Sequence, residues 1–135
     1  MDKPMDPKPF LERDAFARHC GIDLIELSPG RAVATLAITQ DHLNGLGVTH
    51  GGAIFTLADL AFAAASNSHE SLAMAINVSI SYLKAASEGN TLTAVADEVT
   101  RGRKIATYAI RVTDERDDLV ATFQGMVYRK KPDKK

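Results

Sequence analysis

Asp59 is the one charged residue in Ala53-Ile-Phe-Thr-Leu-Ala-Asp-Leu-Ala-Phe-Ala-Ala-Ala-Ser66, a run of helix formers that is apolar on almost every side. A helix apolar all round is a buried helix, and an ionised carboxylate kept from water is costly unless it is paired, hydrogen-bonded or neutralised. Thr56 can return its hydroxyl to a carbonyl one turn back; Asp59 has no such outlet, so the chain needs a reason to keep it there. Immediately before the run stands Asn44-Gly-Leu-Gly-Val-Thr-His-Gly-Gly52. Gly51 and Gly52 let a ligand approach the backbone, and the first N–H groups of a helix lack internal partners, so this end suits an oxygen that becomes negative during reaction.

Gly51 and Asp59 are eight residues apart, roughly 12 Å along a helix. They cannot serve one reacting carbonyl within a single chain. Two copies lying antiparallel across a two-fold axis would bring the glycine end of one to the carboxylate of the other, so the spacing predicts a dimer with two composite sites.

The elements that must carry these residues follow from periodicity. Residues 1–8 read as a flexible, proline-rich lead. Phe10, Leu11, Ala15, Phe16 and Cys20 recur at helical spacing in a short amphipathic helix from Pro9, stopped by Gly21. Ile22–Leu27 and Arg31–Thr39 read as strands joined at Ser28-Pro29-Gly30. A loop over Gln40–Thr49 leads into the long helix, which is expected to end at Asn67 in the left-handed conformation. Leu72–Lys84 alternates, with Ile76, Val78, Ile80 and Tyr82 expected on the core face and Asn77, Ser79 and Ser81 opposite. Thr91–Arg101 and Lys104–Thr113 flank a two-residue turn at Gly102-Arg103, Asp114–Asp118 forms a charged turn before Leu119–Arg129, and 130–135 is a solvated basic tail. Helix, two strands, a long buried helix and four meandering strands predict an α+β fold: a curved antiparallel sheet wrapped around the helix, one domain over 9–129.

At 135 residues, 24% charged and net charge -1, the chain has no net attraction to nucleic acid. The single Cys20 permits no internal disulfide. The polar start lacks a signal peptide's apolar block, and no segment reaches the length of a membrane span, so a cytoplasmic location without membrane contact is expected.

The string Asn44-x-x-Gly47-x-x-His50-Gly51-Gly52, followed by Leu57-Ala58-Asp59, resembles the hotdog-fold thioesterases, specifically their PaaI-type (phenylacetate-pathway) group, over about Phe16 to Tyr128. The resemblance implies the hotdog fold and hydrolysis of an acyl-coenzyme A thioester at sites shared across a homodimer, often within a homotetramer. No metal or other cofactor is implied, coenzyme A being part of the substrate. Asp59 matches the family's catalytic carboxylate, base or nucleophile; Gly51 matches the residue whose N–H polarises the thioester carbonyl; Asn44 matches the loop residue that orients water or carboxylate. His50 is expected to cap or brace the helix rather than act as base. Where some relatives hold a water-binding Ser this chain has Ala75, which leaves Asn77, Ser66 or the other subunit to hold the water.

Gly52 belongs to the expected substrate contacts, and Phe55, Phe62 and Leu57 suggest an apolar acyl pocket. Aryl or arylacetyl chains follow from the resemblance, while short or medium aliphatic chains fit the same residues. Arg101, Arg103 and Lys104, with Lys84 and Arg129 at other strand ends, are candidates for the coenzyme A phosphates, though charged residues also guard solvated sheet edges. His19, His42 and His69 share no metal-ligand spacing with one another or with Cys20, and Gly45-x-Gly47 lacks the context of a dinucleotide fingerprint. Alternatives to an acyl-CoA thioesterase are a non-catalytic acyl-CoA binder, in which Asp59 would be structural, and an enzyme acting on acyl-carrier-protein thioesters.

Overall fold

Alanine decides how closely the central helix meets the sheet. In the computed structural model, which describes residues 3–130, helix α3 (Gly51–Ser66) packs on strands β2 (Arg31–Ala37), β4 (Thr91–Arg101) and β5 (Ile105–Thr113). Ala58, Ala61, Ala64 and Ala65 on the helix, and Ala34, Ala94, Ala96 and Ala106 on those strands, are fully buried. Side chains this small let helix and sheet approach while larger ones fill the flanks: Phe62, Phe123 and Tyr108 form a tilted aromatic cluster with ring centroids 5.6 and 5.9 Å from Phe62. Burying each such ring contributes roughly 1.5–3 kcal/mol.

The sheet is completed by β1 (Asp23–Ser28), β3 (Leu72–Tyr82) and β6 (Leu119–Lys130). Its order is β1-β2-β4-β5-β6-β3, with every pair antiparallel. This is the expected α+β hotdog arrangement, a curved sheet around one long helix. The expected meander is corrected, however, because β3 does not pair with β4. It runs to the far side of β6 and becomes an edge, and β4 instead closes on β2.

Local chemistry explains several further differences. The helix expected from Pro9 to Cys20 is two, α1 (Lys8–Arg13) and α2 (Ala15–Cys20). Asp14 at φ -99°, ψ 88° breaks the run, and its carboxylate accepts the Ala17 N–H at 3.0 Å to cap α2. Gly21 stops α2 at φ 87°, as expected. Asn67 ends α3 at φ -99°, not in the left-handed region. Its amide instead donates to Ala63 O and Ala73 O and accepts Ala73 N–H, tying the helix end to the start of β3. The turn at Gly102 takes in Lys104 as well as Arg103, β5 starting only at Ile105. Within the expected lead, Met5 N–H donates to Leu27 O at 2.6 Å. The expected tail, Lys130 apart, lies outside the described residues.

In β3 the alternation slips at a bulge between Ala75 and Asn77. Val78 and Ile80 pack partly against the core, but Ile76 and Tyr82, expected on that face, are 54% and 51% exposed. With Leu72, Met74 and Leu83 they give the edge an apolar, uncovered character.

Gly125 on β6 is required by Phe62. A Cβ there would lie 2.5 Å from the Phe62 ring. We expect Gly125→Ala to cost about 1–3 kcal/mol by overpacking, read from the denaturation midpoint, with Phe62→Leu in the same chain recovering part of the loss.

Candidate active site

The loop and first turn of α3 are held by their own polar groups. Asn44 Oδ1 accepts Leu46 N–H at 2.9 Å and Val48 N–H at 3.3 Å, closing the 44–48 turn. Its carbonyl is therefore spent, and only its Nδ2 is left to orient another group, no acceptor meeting it among the described residues. His50 N–H donates to His42 O at 2.7 Å, and His50 Nδ1 accepts Gly52 N–H at 2.8 Å. An accepting Nδ1 puts the neutral ring's proton on Nε2, so His50 caps the helix, as expected.

Two first-turn carbonyls are occupied as well. Thr56 Oγ1 donates to Gly52 O at 2.7 Å, and Tyr82 Oη donates to Gly51 O at 3.0 Å. Gly51 N–H has no acceptor among the described residues. A cavity of about 420 Å³ opens beside it, lined by Thr49, Gly51, Ile54 and Tyr82 and by Leu83–Ala86.

Asp59 is half-buried, with no hydrogen-bond or ion-pair partner among the described residues. Burial pushes its carboxyl up from the usual range, and the charge of Asp14 adds to the effect. Asp14 is a second acidic group that sequence reasoning passed over as part of a continuous helix. Its signal was an Asp directly before Ala15-Phe-Ala-Arg, a helix-start pattern.

The remaining candidates divide. Phe62 is 1% exposed and Leu57 fully buried; both are core side chains, which corrects their assignment to an acyl pocket. Phe55 is half-buried and packs on Phe123 at 5.3 Å. Asn77 is opposite Met126, beyond the bulge, and lines an outer-face cavity of about 330 Å³ with Ser79, Thr107 and Gln124, on the side of the sheet away from α3. It cannot hold a water beside Asp59 of its own chain. Ser66 is also spent, donating to Ala63 O. Lys84 bridges Asp114 and Asp118 at 2.8 and 2.6 Å, which lowers the Asp114 carboxyl and braces the charged turn.

Arg101 lies against Glu98 and His69, Arg129 reaches Ser71 and Gly102 O, and Arg103 and Lys104 line a concavity of about 210 Å³ with Tyr128, Arg129 and Lys130. This basic cluster sits past the C-terminal end of α3, and Gly51 is at the other, about 22 Å away at helical rise.

Comparison with known proteins places this arrangement. The profile of the thioesterase superfamily matches residues 46–121, spanning the end of the loop, α3, β3 to β5 and the start of β6. The chain belongs to the thioesterase superfamily. This thioesterase is 51% identical over 106 residues to a putative esterase of Archaeoglobus fulgidus, covering 78% of this chain and 69% of that one. It is 40% identical over 120 residues to the acyl-coenzyme A thioesterase PaaI of Escherichia coli, covering 89% and 86%. The solved E. coli PaaI structure superimposes with a TM-score of 0.88, covering 90% and 88% of the two chains at 38% identity. A Streptococcus mutans protein solved bound to acetyl CoA matches at TM-score 0.79 and 29% identity, covering 84% and 91%. The thioesterase described here is thus a thioester hydrolase of PaaI type. No helix among its described residues is long and apolar enough to cross a membrane.

Proposed function

We propose that the protein hydrolyses acyl-CoA thioesters at composite sites built by two copies of the chain. The observation that carries this reading is a donor and a carboxylate, each without a partner among the described residues and each on α3, too far apart to meet within one subunit. Gly51 N–H would donate to the developing oxyanion. Asp59 of the other subunit would take a proton from water as water adds to the carbonyl carbon, or would attack that carbon itself. With water as nucleophile, its oxygen bonds the carbonyl carbon, the C–S bond breaks, and the thiolate of coenzyme A leaves as Asp59 passes the proton to it or to solvent. With Asp59 as nucleophile, a carboxylate–acyl anhydride forms as the C–S bond breaks, and a water then cleaves that anhydride to free the acid, restore Asp59 and supply the thiolate's proton.

The pairing follows from the β3 edge, whose unpaired backbone and exposed Leu72, Met74 and Ile76 invite a second strand. Antiparallel pairing of two β3 edges sets the Leu72 end of one beside the Tyr82 end of the other. Because Arg129 is opposite Ala73, the same pairing carries the Arg101–Lys104 cluster of one copy toward the Gly51 end of its neighbour, where coenzyme A phosphates would need it. Two such dimers would form the homotetramer, and the enzyme would work in the cytoplasm. The name of the E. coli relative and the acetyl CoA in the S. mutans structure support coenzyme A as the carrier; the PaaI likeness favours aryl or arylacetyl chains.

Free-thiol release over a panel of arylacetyl, aryl, short and medium aliphatic acyl-CoAs, with one acyl-carrier-protein thioester alongside, tests the reading. The expected result is turnover of acyl-CoAs with the highest kcat/KM on an aryl or arylacetyl chain. Binding without thiol release would make the protein a carrier, and turnover confined to the carrier-protein thioester would move it to that substrate.

A further inference from the structure

We infer that Tyr82 is a positioning residue for the oxyanion donor, an inference that rests on the thioesterase reading of Gly51. The peptide group joining Gly51 to Gly52 is gripped at both ends: its N–H by His50 Nδ1 at 2.8 Å and its C=O by Tyr82 Oη at 3.0 Å. The Tyr82 ring also closes over the Gly51 Cα, so that a Cβ on Gly51 would lie 3.2 Å from ring carbon and hydroxyl oxygen alike.

Glycine is the residue with the widest choice of φ and ψ. A donor on such a residue is preorganised only if its neighbours remove that freedom, and a donor that must reorient during reaction loses much of its value. His50 is adjacent in sequence and acts as an ordinary helix cap. Tyr82 is different, since it comes from the last position of β3, 31 residues on, and reaches the first residue of α3 with its hydroxyl while the residue stays 51% exposed. Its contact ties the helix start to the β3 edge and borders the cavity beside Gly51. Gly51 N–H lies on the preceding peptide, so by holding the peptide that follows Gly51 and covering its Cα, Tyr82 limits the backbone rotation of Gly51 and couples the donor to the strand that the second subunit would join.

Tyr82→Phe keeps the ring and deletes the grip. The expected result is a fall in kcat of about tenfold with KM little changed, less than the loss from removing an oxyanion donor outright. The carbonyl stretch of a bound ketone analogue of the thioester reads the donor directly: lowered on binding to the wild type, it should move back toward its free value in Tyr82→Phe. His50→Ala releases the other end of the same peptide, so the two changes together should cost less than the sum of their separate effects. Unchanged kcat with an unchanged carbonyl stretch, or a rise in KM alone, overturns the inference. A wild type that releases thiol from no thioester overturns the thioesterase reading instead, and the carbonyl stretch still decides whether Tyr82 sets the donor.

Discussion

Asp59→Asn should lower kcat on the best acyl-CoA by about 10³-fold, within the range for loss of a general base, while the circular dichroism spectrum is unchanged. Asn matches the volume and removes only the charge. Because burial and Asp14 raise the Asp59 carboxyl, kcat/KM of the wild type should climb as pH rises through that raised value, a limb that Asp59→Asn lacks. Stability should move oppositely. In the folded protein the carboxyl binds its proton more tightly than in the unfolded chain, so the native state loses stability as pH rises from the ordinary carboxylate range to the raised value. The variant escapes that penalty and should melt higher than the wild type at neutral pH, with the gap closing in acid. A variant with wild-type turnover, or one that melts lower at neutral pH, would mean that Asp59 is a structural group.

Mixing two inactive variants should restore activity. Gly51→Val blocks the donor end, since a branched side chain cannot fit against Tyr82, and Asp59→Asn blocks the acid. In a dimer containing one of each, one site receives both defects while the other receives an intact Gly51 and an intact Asp59. Random assortment makes half the dimers mixed, and half their sites sound, so coexpressed chains should recover about a quarter of wild-type kcat per site. The measurement compares the coexpressed pool with each parent, and the mixed species isolated through two affinity tags, with one sound site in two, should show about half of wild-type kcat per site. If donor and acid worked within one subunit, every site in the mixture would carry a defect and no activity would return.

Much of this was legible along the chain because it rests on near-neighbour chemistry. The start of α3 at Gly51, the capping role of His50 and the back-bond of Thr56 each depend on residues within one turn. The two-residue link at Pro29-Gly30 is equally local, with Gly30 at φ 79°. The family itself was written in Asn44 to Asp59. Long-range packing was less accessible. Phe62 looked like a pocket residue because a helix apolar on all sides does not announce which face meets the sheet; Gly125, a side chain's absence 63 positions away, decides it. Lys84 looked free to meet phosphates because Asp114 and Asp118 come to it only through the β3–β6 pairing.

What the sequence alone determined, then, is a lone acid in an apolar helix, a glycine donor at its start, and a spacing that separates them; those facts are one-dimensional and survive any arrangement of the strands. The tertiary structure decided which groups are already satisfied and which are left over. Hydrogen-bond partners such as Tyr82 for Gly51, and the edge position of β3, arise only when segments remote in sequence are folded together, because register and strand order are set by the packing of the whole sheet on α3 and not by any stretch of it.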